Sequence, residues 1–585
     1  MFFESVVTQR YRREQVHNSC KMANTQVRVL KRPNDEVCIV ELNTSPSLVN
    51  DYYRKTHFIF CMDVSASMDE PAVNPQADNH GVAFISPENT RLNYITKILG
   101  ASLSYVTGDT YDNNDVFVSV MTFSRKVQTI IKQANSESMS KEVIEKIIQD
   151  VKSQHRESTN FEAAMQHVMS DLTMVGHNKD TSYVNEVVVF MTDGCITQGT
   201  SDRTQLTSIM VGNQRQIPDW RFIGVGTDFD YLLLNSLKLN FDQREQLTNR
   251  PVVSVDFLDN IENAYIIYAD VISPYLTNSV YNSTLTSLDQ YAPVYFGNPT
   301  TGILDSKQFH MGIIPAGTTR YVSMRLTDDT QSALGYYDSK FHPCHGPSTT
   351  DIIVTSDSFV NVENNSNDAM LFNVMQLRQE CIEAVGICYK LIDEITESER
   401  FYSRPLLATP QRNHSNNIRQ MISGNWNNAN DASSSDEETY TPRDNERVLN
   451  NDLTRHKELM LTIQHKVKDF LSSGQAIAIP ETMSDILKQS IDDISFATRA
   501  IDRVQSSGDT ILARMVIGAR LNSQQYQRAY TITSTNMLDN PSHYENTNQN
   551  WSSGMSLMNN TNYSPFTTQV TRSISHAISS QSQFY

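Results

Sequence analysis

Residues 57–69 read HFIFCMDVSASMD, and this stretch decides the fold. From Phe58 to Met62 every side chain is apolar, and the run stops on Asp63. A strand buried on both faces has this form, because neither face returns to water along its length. Its end then brings Asp63, Ser65 and Ser67, at D-x-S-x-S spacing, to the edge of a sheet. One carboxylate and two hydroxyls are hard oxygen ligands. They suit Mg²⁺ rather than zinc, which prefers His and Cys. Taken alone, the pattern is also ordinary turn chemistry.

Working outward, the same alternation continues to about residue 276. TRLNYITKILGASLSYV places Leu92, Ile95, Ile98, Leu99 and Leu103 at helical spacing. DVFVSVMTFS is a second buried-strand run, and KEVIEKIIQDVKSQ and FEAAMQHVMSDL are amphipathic helices. EVVVFMTDG repeats the first strand's form, apolar and then acidic. WRFIGVGTD is a fourth strand, and NIENAYIIYADVISPYL closes the region as a helix. Strands alternating with helices predict a doubly wound, mostly parallel α/β sheet, which binds ligands outside the carboxyl ends of its strands. Two further segments reach that edge. ESTNFEAAM sets Thr159 and Asn160 just before a helix, and VVVFMTDG ends a strand with Asp193 and Gly194. Two carboxylates and three hydroxyls are thus expected to converge from three distant loops.

On Asp63, Ser65, Ser67, Thr159 and Asp193 the sequence resembles the von Willebrand factor A family, with its metal-ion-dependent adhesion site. The resemblance covers residues 57–276. It implies that Ser65, Ser67 and Thr159 bind the metal through their hydroxyls, while Asp63 and Asp193 act mainly through metal-bound waters, or one of them directly, depending on state. The expected ion is Mg²⁺, with Mn²⁺ or Ca²⁺ as substitutes. The resemblance further implies one open coordination position, which in the family a carboxylate from a partner protein often fills. Asp69, Glu70, Asn160 and Gly194, beside these ligands, are the candidate partner contacts. Ala66 stands where the family often has Gly, and the polar insertion DEPAVNPQADNHGVAFISPENT adjoins the metal loop as a candidate cap.

Outside this region the pattern changes. After an N-terminal extension (1–25), QVRVLKRPNDEVCIVEL in 26–56 reads as two strands that must pair with something later, since a hairpin alone has no core. Residues 277–362 contain SVYNSTLTSL, APVYFG, TRYVSMRLTD and DIIVTSD. These predict an added antiparallel, sandwich-like β unit that the early hairpin joins. Helices are expected over 365–400 and within 446–525, where Leu453, Leu459, Ile463 and Val467 mark an apolar face of a bundle or coiled coil. Residues 401–445 and 526–585, rich in Asn and Ser, read as a flexible linker and a disordered tail.

The balance of 66 acidic against 48 basic residues, net -18, argues against a general nucleic-acid binder. The seven cysteines form no CxxC pair, so a RING or zinc ribbon is not expected. No stretch of 18 or more apolar residues offers a membrane span. No P-loop, kinase, GxSxG or HExxH motif occurs. The expectation is a cytoplasmic, non-enzymatic scaffold that grips an acidic partner through a bound cation. Its rivals are an adaptor in a ubiquitin-ligase or vesicle-coat-like complex, and a hydrolase using Asp69 or Glu70 as base.

Overall fold

A computed structural model describes residues 25–32, 37–44, 56–70, 90–107, 116–135, 138–154, 156–173, 185–194, 196–212, 217–225, 230–242, 252–258, 261–276, 279–287, 291–293, 308–315, 318–326, 333–340, 352–355, 359–362, 367–402, 442–473, 480–525 and 575–578. Strands β1 (Thr25–Lys31) and β2 (Val37–Thr44) form an antiparallel hairpin, with Val29 opposite Val40. The α/β unit then begins. It runs β3 (Thr56–Asp63), α1 (Arg91–Val106), β4 (Val116–Phe123), β5 (Val127–Asn135), α2 (Lys141–Lys152), α3 (Phe161–His167), β6 (Asn185–Thr192), α4 (Arg203–Val211), β7 (Asp219–Val225), α5 (Tyr231–Asp242), β8 (Val253–Leu258) and α6 (Ile261–Leu276).

The six strands lie in the order β5-β4-β3-β6-β7-β8, and every pairing is parallel except β4 with β5. Strands β3 and β6 are buried along their whole length, as their apolar runs require. The core centres on Phe190 of β6. Its ring lies 4.7 Å from Phe123, 5.1 Å from Phe161 and 5.6 Å from Phe222, centroid to centroid. Helix α2 buries Ile144, Ile147, Ile148 and Val151, one apolar stripe at helical spacing. Each such side chain contributes roughly 1.5–3 kcal/mol on leaving water. From β3 the chain steps to β4 on one side and later returns to β6 on the other. The strand order therefore reverses between β3 and β6, and in open α/β sheets ligands bind outside the carboxyl ends of the strands at such a point.

Beyond α6 come β9 (Ser279–Ser287), β10 (Tyr291–Pro293), β11 (Gln308–Pro315), β12 (Thr319–Leu326), β13 (Ala333–Lys340), β14 (Ile352–Thr355) and β15 (Phe359–Asn361). One sheet runs β11-β9-β13-β14, antiparallel throughout. The other runs β10-β12-β2-β1-β15, so the early hairpin sits inside a sheet built mostly from the far side of the α/β unit. Its β1–β15 pairing is parallel, unlike the rest.

Among the described residues the longer helices that follow are α7 (Asn367–Tyr402), α8 (Pro442–Ser472), α9 (Glu481–Ser507) and α10 (Thr510–Gln525). Helix α7 packs against the other three, so the region is a bundle. On α8 the buried positions are Leu453, His456, Met460, Gln464 and Val467. Leu459, expected on this face, is 48% exposed. The seam follows a seven-residue period through 453, 460 and 467, and this turns position 459 outward. The bundle is tied to the hairpin's sheet by Arg28 to Asp368 at 2.9 Å and Arg32 to Asn373 at 2.8 Å. The N-terminal extension, the insertion at 71–89 and nearly all of the linker and tail lie outside the described residues. The exception in the tail is residues 575–578, a helical turn that buries Ser575 and Ile578.

Candidate functional site

Strand β3 ends on Asp63 and β6 ends on Thr192, and the two strands are hydrogen-bonded neighbours. Asp63 is therefore delivered beside the first residues of the β6 loop, at the point where the strand order reverses. Its carboxylate is fully buried and held on both oxygens. Oδ1 accepts from the Ser65 N–H at 2.9 Å, and Oδ2 accepts from the Thr192 hydroxyl at 2.6 Å. The hydroxyls of Ser65 and Ser67 lie 3.1 Å apart. They sit on a tight turn, Ala66–Asp69, anchored by buried Met68. Ala66 has no positive φ, so its Cβ is accommodated where a Gly is often found.

The Thr159 loop is laced to both of the others. The Ala66 N–H donates to the Glu157 carbonyl at 3.1 Å, and the Asn160 N–H donates to the Ser124 carbonyl at 3.2 Å. The Thr159 carbonyl accepts from the N–H groups of Thr197 and Gln198, each at 3.1 Å, and the Thr159 N–H donates to the Thr197 hydroxyl at 2.7 Å. Thr159 is buried, as are Ser65 and Asp193, while Ser67 is half-buried. Asp193 follows β6 directly, and its turn needs Gly194, which has φ +94°.

The electrostatics are those of two carboxylates in one low-dielectric place. Burial first, and the nearby Asp193 second, push the Asp63 carboxyl up to about 7. One guanidinium answers them, since Arg91 donates to Asp193 Oδ2 at 3.0 Å. Two carboxylates against one fixed positive charge, with hydroxyls alongside, is a donor set that fits a hard divalent cation. Among the described residues no three or more His, Cys, Asp or Glu side chains come together as a metal site, so hydroxyls must supply the rest of any such donor set.

The candidate partner contacts divide. Asp69 and Glu70 are exposed and ion-paired, Asp69 with Arg156 and Glu70 with Arg91. The Asn160 side chain caps α3 by accepting from the Ala163 N–H at 3.0 Å, and Gly194 is buried. Gly194 has no side chain to offer, and Asn160 is half-buried with its Oδ1 engaged in the cap. Thr192, which positions Asp63, and Arg91, which holds Asp193, were not singled out from the sequence. Thr192 precedes Asp193 in a strand ending and is legible once that strand is placed beside β3. No local pattern marks Arg91.

The sequence profile described as the von Willebrand factor type A domain matches residues 58–195. Among solved structures, the chain is similar to a von Willebrand factor type A protein from Catenulispora acidiphila, at 10% identity and TM-score 0.39, over 64% of this chain and 83% of that one. It is similar to the ArnB paralog VWA2 from Sulfolobus acidocaldarius at 12% identity and TM-score 0.39, over 82% and 98%. It is similar also to proximal thread matrix protein 1 from the mussel byssus with a zinc-occupied MIDAS motif, at 16% identity and TM-score 0.27, over 39% and 47%. Comparison with curated proteins finds no match.

Proposed function

We propose, from the match of residues 58–195 to the von Willebrand factor type A domain, that this chain is a non-enzymatic scaffold that grips an acidic partner through a cation. Asp63, Ser65, Ser67, Thr159 and Asp193 hold the ion, which is Mg²⁺ or, in its place, Mn²⁺ or Ca²⁺. When bound, the ion supplies a positive charge with one exchangeable position for a carboxylate of the partner. The observation that carries this reading is the placement of Asp63 and Asp193 together at the carboxyl ends of the neighbouring strands β3 and β6, close enough that Asp193 raises the Asp63 carboxyl. Two such carboxylates repel one another in a buried place, and a divalent cation relieves that repulsion.

Asp69 and Glu70 line the rim and meet the partner's flanking residues. Each is already paired with an arginine, which weakens either as a general base and speaks for binding over hydrolysis. A cytoplasmic setting is part of the proposal. Four described cysteines, Cys38, Cys61, Cys381 and Cys388, are buried free thiols, which suits a reducing compartment.

The test is Mg²⁺ titration by calorimetry on the full chain and on Asp63→Ala/Ser65→Ala, followed by capture of partners in Mg²⁺ and in EDTA. The proposal expects a saturable site in the native chain only, and partners lost both in EDTA and with the variant while circular dichroism is unchanged. A partner set indifferent to both would overturn it.

A further inference from the structure

Arg91 is the first residue of α1, and its place is fixed from several directions. The Thr90 hydroxyl accepts from the Asn93 N–H and sets where the helix starts. The Arg91 backbone N–H donates to the Glu70 carbonyl at 2.9 Å. Its guanidinium then bridges two carboxylates of different standing. Nη1 donates to Asp193 Oδ2 at 3.0 Å, and Nη2 lies 3.2 Å from Glu70 Oε2. The Arg91 and Asp193 side chains are 6% and 2% exposed, so this pair is screened little by water. Glu70 is 54% exposed and stands on the rim. A planar fork can satisfy both carboxylates at once, which a lysine ammonium cannot do as well.

We infer that Arg91 is a positioning residue that sets how tightly the site holds its ion, by fixing Asp193 through one oxygen and placing a permanent positive charge beside the cation. The inference rests on the cation reading above. A guanidinium and a divalent ion that share one buried carboxylate repel each other. The ion is therefore held less tightly than two carboxylates and three hydroxyls alone would hold it. A partner's carboxylate restores the missing negative charge. Ion and acidic partner then strengthen one another's binding, and the site closes firmly only when both are present. Glu70 tunes the effect from outside by drawing off part of the guanidinium's field.

The experiment is Mn²⁺ titration of the full chain at fixed ionic strength, read by calorimetry, with circular dichroism as the check on folding. Arg91→Gln keeps a donor for Asp193 but removes the charge, and Mn²⁺ affinity is expected to rise about ten-fold or more, on the scale of a unit charge within several ångströms in a poorly screened place. Arg91→Lys keeps the charge and stays within about two-fold of the native chain on the same ground. A purely structural Arg91 predicts the opposite sign, since a loosened Asp193 binds worse. Unchanged or weaker Mn²⁺ binding by folded Arg91→Gln overturns the inference. Should that variant not fold, Glu70→Gln, at an exposed position, carries the test. The guanidinium then turns its full charge on the site and affinity falls several-fold, and no change overturns the inference. Asp63→Ala separates the two failures. If the native chain takes no Mn²⁺, the cation reading and the inference both fall. If the native chain binds and Asp63→Ala does not, while Arg91→Gln equals the native chain, the inference alone falls.

Discussion

The Thr192 hydroxyl donates to Asp63 Oδ2 at 2.6 Å and accepts from the Gly194 N–H at 2.9 Å. One hydroxyl thus fixes the carboxylate on β3 and the turn after β6 together, at the reversal of the sheet order.

Thr192→Val keeps the shape and removes both bonds. It leaves a buried carboxylate oxygen and a buried N–H without this partner, at a cost of about 1–3 kcal/mol for each such group. Urea unfolding should show a loss of about 2 kcal/mol or more, and Mg²⁺ binding should weaken with it. A loss within about 0.5 kcal/mol, the range of an ordinary surface substitution, would contradict the assigned geometry.

The raised carboxyl of Asp63 gives a stability signature. Its folded value of about 7 lies above the ordinary 3.8, so between these two the folded chain holds a proton that the unfolded chain has released. Stability therefore falls as pH rises through this window. In chelator, the unfolding free energy of the native chain should decline from pH 4 to pH 7 more steeply than that of Asp63→Asn. Parallel profiles would show that Asp63 carries no such burden.

His456 gives the opposite slope. Its ring Nε2–H donates to the Ala384 carbonyl at 2.7 Å in the bundle, and burial holds the imidazole below its ordinary 6.5. The unfolded chain takes up a proton there before the folded chain does, so stability falls as pH drops below about 6.5. His456→Gln should flatten this limb, measured by thermal unfolding between pH 7 and pH 5 with the native chain alongside. Retention of the full slope in the variant would place its source elsewhere.

Gly199 holds φ +81°, and a Cβ there would lie 2.6 Å from Asn160 Oδ1, the atom that caps α3. Gly199→Ala should cost about 1–3 kcal/mol through backbone strain and the displaced cap. Adding Asn160→Ala removes the clash, so the double variant should lose less than the sum of the singles. Strict additivity in chemical denaturation would refute the contact.

The strands that carry the site were legible because burial on both faces leaves an unbroken apolar run, as in Phe58 to Met62 and Val187 to Met191. The edge strands were not. Strand β5, VQTIIKQAN, lies at one margin of the sheet with most side chains half-buried or exposed, and it carries Lys and Gln as edges do. At the other margin β8, VSVDFL, is six residues long and interrupted by Asp256. Helix α4 has only three buried side chains, too few for a clear periodic face. At the site, Asp63 and Asp193 could be read because each ends an apolar run. Arg91 could not, since its importance arises only when α1 is laid across the end of a strand more than a hundred residues downstream.

Thr44 and Thr318 exchange hydrogen bonds at 2.8 and 3.1 Å although 274 residues separate them. During synthesis the hairpin of β1 and β2 emerges long before β12 and β15, the strands that cover its two edges. It must wait with open flanks while the whole α/β unit is made between it and those partners. Its two edges, open to pairing with other chains, are therefore covered only late in synthesis. A shortened nascent chain that stops before residue 319 would strand the hairpin without a neighbour.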